Sequence, residues 1–156
     1  LESEEEARAM SGSQTFPKLG EQSLEEHGLI RFHLDQLERA LQGFDPASAT
    51  VDTLRTLAVR IDSFKERLDE HFGSEEDGGL LQGILDALPQ AESDVRRIKT
   101  QHARVREALD AARRLARGGD PAEASALKDE LARVLTMMRE HEKEEDALVR
   151  RALRQG

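Results

Sequence analysis

The sequence has no cysteine, no tryptophan and no tyrosine, and its aromatic content of 3% is all phenylalanine. Without cysteine there are no disulfides, no thiolate metal sites and no cysteine nucleophiles. That fits a reducing compartment, and the cytoplasm is the expected location. No apolar run approaches the roughly 20 residues of a membrane span or the core of a signal peptide, so a membrane is not an expected partner. Basic residues are outnumbered, 23 Lys and Arg against 32 Asp and Glu, for a net charge of -9. Nucleic acid and anionic lipid are polyanions that reward clustered cations, so neither is expected to bind, and the arginine-rich stretches read as solvated helix faces. No serine triad, phosphate loop or nucleotide fingerprint is present. The first residue is Leu1 rather than Met, which raises the expectation of a processed or truncated piece of something longer.

What is present is the composition of a helical protein, 35% charged and 37% hydrophobic with only 4 prolines in 156 residues. That length suits one domain with a single core. Residues 1–20 combine an acidic run with helix breakers and read as a flexible acidic tail. Residues 21–156 read as an antiparallel up-down-up-down four-helix bundle, all-α. The first predicted helix opens at Ser23 with Glu26 completing a capping box, and carries the stripe Leu24, His27, Ile30, Leu34, Leu37, Leu41. The second carries Leu54, Leu57, Ile61, Phe64, Leu68, His71, Glu75 and stops at Asp77-Gly78-Gly79. A short apolar stretch, LLQGILDAL, and Pro89 follow. The third carries Val95, Ile98, His102, Val105, Leu109, Ala112 and closes at Gly118-Gly119. The fourth opens with Asp120 as N-cap, Pro121 at the first helical position and Glu123 completing a box, and its stripe runs Leu127, Leu131, Val134, Met138, His141, Glu145, Leu148, Ala152.

Four of the five histidines thus fall on the inward stripes of four separate helices, and His71 and His141 are each followed four residues later by a glutamate. Residues four apart share a helix face, so each pair aims an imidazole and a carboxylate at one point. The two halves repeat the arrangement, a lone histidine on one helix and HxxxE on the next. In antiparallel order the ligand level should lie near one end of the bundle, with leucine, valine and isoleucine filling the remaining turns. A single histidine on an apolar stripe is ordinarily a hydrogen-bonded core residue, and a glutamate at a frayed helix end is unremarkable. Four such histidines with two inward glutamates point instead to metal, because unpaired buried carboxylates cost on the order of several kcal/mol each. Neutral imidazole and carboxylate suit iron, with zinc and manganese as less favoured alternatives. A carboxylate can also bridge two ions. If Glu75 and Glu145 bridge and each ion takes two histidines, each ion has four protein ligands and room for a small exogenous molecule.

The segments EEHGLIR, DEHFGSEEDGGLL, QHARV and REHEKEEDALV resemble the successive metal motifs of the hemerythrin-like family, the HHE cation-binding domains, over roughly residues 20–155. The resemblance implies a four-helix bundle around a non-haem di-iron centre, oxo- or hydroxo-bridged, with His27, His71, Glu75, His102, His141 and Glu145 as metal ligands. It also implies sensing or handling of oxygen, peroxide, nitric oxide or iron, a small diatomic or peroxide ligand, and no settled enzymatic activity; a protein partner stays open. The oxygen carriers of the family have HxxxH on the third helix, whereas here Arg106 follows His102 by four residues and cannot ligate. The resemblance is therefore closer to the sensor-type and repair-type members with four histidines.

His33, off the stripe, is read as a surface or outer residue. Asp146 is a weaker rival to Glu145, and Glu76, Asp77 and Glu144 are read as solvated. Met137 and Met138 look like packing. Two other classes stand beside this reading. A ferritin-like di-iron oxidase or iron store would use ExxH, yet the residues three before the histidines are Leu24, Ile30, Leu68, Lys99 and Met138. A structural or interaction bundle with zinc or no metal would be told apart by metal analysis.

Overall fold

A computed structural model describes residues 15–155. Among them are five α-helices and no strands: α1 Phe16–Gln42, α2 Val51–Asp77, α3 Leu80–Ala87, α4 Glu92–Gly118 and α5 Ala124–Gln155. The long helices α1, α2, α4 and α5 are the four anticipated from periodicity; every expected stripe residue is buried except Leu24, which is half-buried, and the buried faces are wider than the stripes, taking in Ser23, Ala58, Phe72, Leu135, Glu142 and Val149 as well. None of the described helices is long and apolar enough to cross a membrane.

Ion pairs between neighbouring helices give their relative direction. Between α1 and α5, Arg31 meets Asp146 at 3.1 Å while Asp35 and Glu38 meet Arg139 at 3.1 and 2.6 Å. Between α2 and α4, Asp62 meets Arg117 at 3.0 Å and Asp69 meets Arg106 at 3.1 Å. Between α4 and α5, Asp94 faces Arg151 at 3.8 Å and Arg97 binds Glu144 at 2.7 Å. In each case residue numbers rise on one helix as they fall on the other, so these neighbours run in opposite directions. Such largely exposed pairs are worth less than about 1 kcal/mol each. Cohesion comes from buried hydrocarbon, where a fully buried leucine or isoleucine stabilises by roughly 1.5–3 kcal/mol.

That hydrocarbon forms two clusters. The larger holds Leu34, Leu54, Ile61, Leu68, Leu109, Leu127, Leu131 and Val134, all essentially inaccessible. The smaller gathers Leu80, Leu81, Ile84, Leu88, Val95, Ile98, Leu148, Val149 and Ala152. The histidines and inward glutamates lie between the two in chain order on α1, α4 and α5; on α2 they fall in the last two turns and the smaller cluster begins only beyond that helix at Leu80, so the polar level has hydrocarbon on both sides rather than standing at a bare end.

Two departures from the sequence expectation explain this. The LLQGILDAL stretch is itself a helix, α3, which buries Leu80, Leu81 and Ile84. The left-handed Gly79 (φ 97°) lets the chain turn straight from α2 into it. Also, α1 starts at Phe16, so residues 16–20, read as tail, are helical, and Ser23 is a buried interior residue rather than a cap. Packing overrides the capping signal there, because Phe16, Leu19 and Leu24 cover the smaller cluster. The contact is close enough that a Cβ on Gly83 would sit 2.6 Å from the Phe16 ring. Residues 1–14 of the expected tail lie outside the described residues. At the last long helix, Asp120 accepts from the Ala122 N–H at 3.0 Å, but over a 3-10 turn, Pro121–Glu123; α5 begins only at Ala124.

Candidate metal centre

All six residues singled out from the sequence meet in one buried cluster. His27 and His102 are fully buried, and His71, Glu75, His141 and Glu145 are at most 7% exposed. His71 Nε2 lies 2.7 Å from Glu75 Oε1, and His141 Nε2 lies 3.0 Å from Glu145 Oε2, each pair one turn apart on its own helix. His27 Nε2 reaches across to Glu145 Oε1 at 2.8 Å and stands 3.9 Å from Glu75 Oε2. His102 Nε2 is 3.5 Å from Glu145 Oε2 and 3.8 Å from Glu75 Oε1. Two sets emerge, His27, His71, Glu75, Glu145 and Glu75, His102, His141, Glu145, each with one donor atom per residue within 4.8 Å of the others. The two sets share both glutamates. His33 is absent from them and lies along an α1/α2 groove with Phe64 and Arg67.

Every ring is oriented from behind. His71 Nδ1 donates to Glu26 Oε2 at 3.0 Å, His102 Nδ1 to Glu76 Oε1 at 3.0 Å, His141 Nδ1 to Gln101 Oε1 at 2.7 Å, and His27 Nδ1 to Asp146. Ionised carboxylates and the Gln101 amide oxygen only accept, so each Nδ1 carries a proton, and in every neutral ring Nε2 turns a lone pair inward. Those lone pairs face carboxylate oxygens. His27 Nε2, His102 Nε2, His141 Nε2 and both oxygens of Glu75 and Glu145 have no hydrogen-bond partner. Lone pairs facing at these distances repel unless a proton or a cation lies between, and the donor set of four imidazoles and two carboxylates suits a divalent transition metal.

Four of the orienting residues correct the sequence reading. The sequence pattern suggests a capping role for Glu26, solvent for Glu76 and rivalry with Glu145 for Asp146, and suggests nothing for Gln101. Their signal was present in adjacency. On α1 and α4 the residue just before the lone histidine, Glu26 or Gln101, backs the histidine of the next HxxxE. On α2 and α5 the residue just after the glutamate, Glu76 or Asp146, backs a lone histidine. Glu144, also read as solvated, binds Arg97 and accepts from Gln101 Nε2 at 2.6 Å.

Phe72, which carried no role in the sequence reading, is fully buried and stacks on His102 with ring centroids 4.0 Å apart. The Arg106 guanidinium lies 5.2 Å above the same ring and donates to Asp69 at 3.1 Å. Arg106 therefore neither faces an inner glutamate nor stands free in solvent. Met138 is buried in the larger apolar cluster and Met137 packs against it, as anticipated.

The electrostatics match the geometry. Burial lowers His141 to about 3, helped by repulsion from His102, and burial likewise lowers His102. Burial opposes ionisation of Glu75, yet His27 and His71 hold its carboxyl down at about 2. Burial also works against a charged His27, but Asp146 and Glu75 outweigh it and lift the imidazole to about 9. Without a cation, the cluster therefore keeps a proton on His27 and two neutral imidazoles at His102 and His141. Beside it, burial pushes the Glu142 carboxyl up to about 7.

The sequence pattern of the Hemerythrin HHE cation binding domain matches residues 16–153, which covers all five helices almost end to end. The chain belongs to that family. No curated protein matches it. No solved structure matches it. The HHE match begins at the residue where α1 begins and spans every member of the buried cluster.

Proposed function

We propose that this HHE domain holds two non-haem iron ions, one at His27 and His71 and the other at His102 and His141, with Glu75 and Glu145 shared between them. The four long helices are then the up-down-up-down bundle anticipated from their stripes. The observation that carries the reading is the sharing itself, two four-residue donor sets with both carboxylates in common. When bound, such ions supply Lewis-acid and one-electron chemistry toward small molecules.

The chain's own part is to orient, shield and admit. Glu26, Glu76, Gln101 and Asp146 fix each ring with its lone pair inward. Phe72, stacked on His102 and edge-on to His141, shields that side of the cluster. A groove of about 340 Å³ between α1 and α2, lined by Glu26, Ile30, Arg67 and His71, reaches the cluster at its most exposed member. To that groove we assign the entry of a small diatomic molecule or peroxide. With Arg106 engaged by Asp69, four imidazoles serve two ions, so coordination positions stay open. That favours a sensor or handler of oxygen, peroxide, nitric oxide or iron, in the cytoplasm, over a reversible oxygen carrier.

Anaerobic reconstitution with Fe(II), metal analysis, then optical spectra on exposure to oxygen, peroxide and nitric oxide is the test. Close to two irons per chain and a coloured oxidised form are expected, with His27→Ala losing iron and His33→Ala keeping it. A colourless protein that prefers zinc, or iron retained in His27→Ala and lost in His33→Ala, would overturn the reading.

A further inference from the structure

The rings are backed in a two-fold pattern, and one position breaks it. Glu26 on α1 backs His71, and its counterpart on α4, backing His141, is Gln101. Glu76 and Asp146 complete the pattern behind His102 and His27. Three histidines therefore donate to a carboxylate and one donates to a neutral amide. The orientation of that amide follows from Glu144, which accepts from Gln101 Nε2 at 2.6 Å and so leaves Gln101 Oε1 to face His141. Glu144 is in turn held by Arg97 at 2.7 Å, at the surface groove between α4 and α5.

An anionic acceptor behind an imidazole pulls on the Nδ1 proton and makes the opposite nitrogen a stronger donor; an amide does so less. The His27 and His71 set has two anionic partners. The His102 and His141 set has one, Glu76; an arginine stands beside a carboxylate in each set, Arg106 Nη1 4.0 Å from Glu76 and Arg31 Nη1 3.1 Å from Asp146, so the difference left between the sets is the neutral amide of Gln101.

We propose that the two cation positions are inequivalent, the one at His102 and His141 being the weaker because Gln101 sets a neutral amide behind His141. This rests on the two-ion reading above. Gln101 acts as a positioning residue whose chemical type grades the strength of the site. In a cell short of metal, the chain would then exist mainly with the His27 and His71 position filled. Pairing would complete only at higher supply, a graded response suited to reporting metal level.

Co(II) titration of the whole chain, followed by its ligand-field bands, tests this without any activity readout. Two steps are expected, separated by about tenfold or more, with His141→Ala removing the weaker and His71→Ala the tighter. The double variant Gln101→Glu with Glu144→Gln reverses the polarity of that hydrogen bond and puts a carboxylate behind His141. It should tighten the weaker step about tenfold and merge the two. Asp146→Asn should narrow the gap from the other side by weakening the tighter step, and it keeps the proposal testable if the double variant does not fold. Two equal steps in the natural chain, or a gap unchanged in both the double variant and Asp146→Asn, would overturn the inequivalence. Saturation below two Co(II) per chain would instead sink the two-ion reading on which it rests.

Discussion

The larger apolar cluster and the polar level beside it are equally buried and are held together by opposite means. Around Leu34, Ile61, Leu109 and Leu131 each added contact lowers the free energy, and nothing has to be charged or uncharged for it to do so. Around Glu75 and Glu145 the same burial brings together groups with no hydrogen-bond partner, so the bundle is least settled where its residues are most specific. The contrast teaches that stability and function are assigned to different turns of the same four helices. The leucine turns make the fold, and the polar level draws its stability from what it binds.

Breaking the apolar side should cost most. Leu131→Ala, at a fully buried position, is expected to lose about 2–5 kcal/mol, equally with and without metal. Denaturant melts of both forms check this; a loss that vanishes on metal loading would mean the two regions are not separable. Next comes the polar side. Chelation of the loaded chain should lower its melting temperature, as a cation at a hundred times its Kd stabilises by about 2.7 kcal/mol. His141→Ala should abolish most of that difference while changing the metal-free melt far less than Leu131→Ala. A chelator-sensitive melt that persists unchanged in His141→Ala would remove His141 from the site.

The pH dependence sharpens the comparison further. His27 in the metal-free chain is raised from 6.5 to about 9. A group raised on folding stabilises fully below 6.5 and loses that contribution as pH climbs through about 9. Metal-free melts between about pH 6 and 10 should therefore fall, and loading near pH 7 should release a proton from His27. The loaded chain should lack this fall, and parallel metal-free and loaded profiles would contradict the assignment. The smallest effect is expected on the exposed face of the bundle. Arg139→Ala breaks the pairs with Asp35 and Glu38 at a half-exposed position and should cost less than about 1 kcal/mol without altering metal content.

Much of this was legible in the chain. The three-four alternation that places Leu57, Ile61, Phe64, Leu68, His71 and Glu75 on one face is a property of a single helix, so periodicity alone orders them. The start of α1 was less legible. Ser23 and Glu26 form a sound capping pattern, and only the distant contact of Phe16 and Leu19 with the smaller cluster overrides it. The helix α3 was hidden for a related reason, since eight residues are too few for period to declare a helix without the neighbours it packs on.

By itself the sequence determined which residues face inward, that four helices each bring one histidine, and that two of them bring a glutamate one turn later. Those facts depend on 3.6 residues per turn and on nothing distant. Tertiary structure alone decided which glutamate meets which imidazole across the bundle, that the polar level lies between two apolar clusters, and that Glu26, Glu76, Gln101 and Asp146 stand behind the rings. The reason is physical: partners 26 to 119 positions apart in the chain are joined by helix register and loop closure, and a local period carries no information about either.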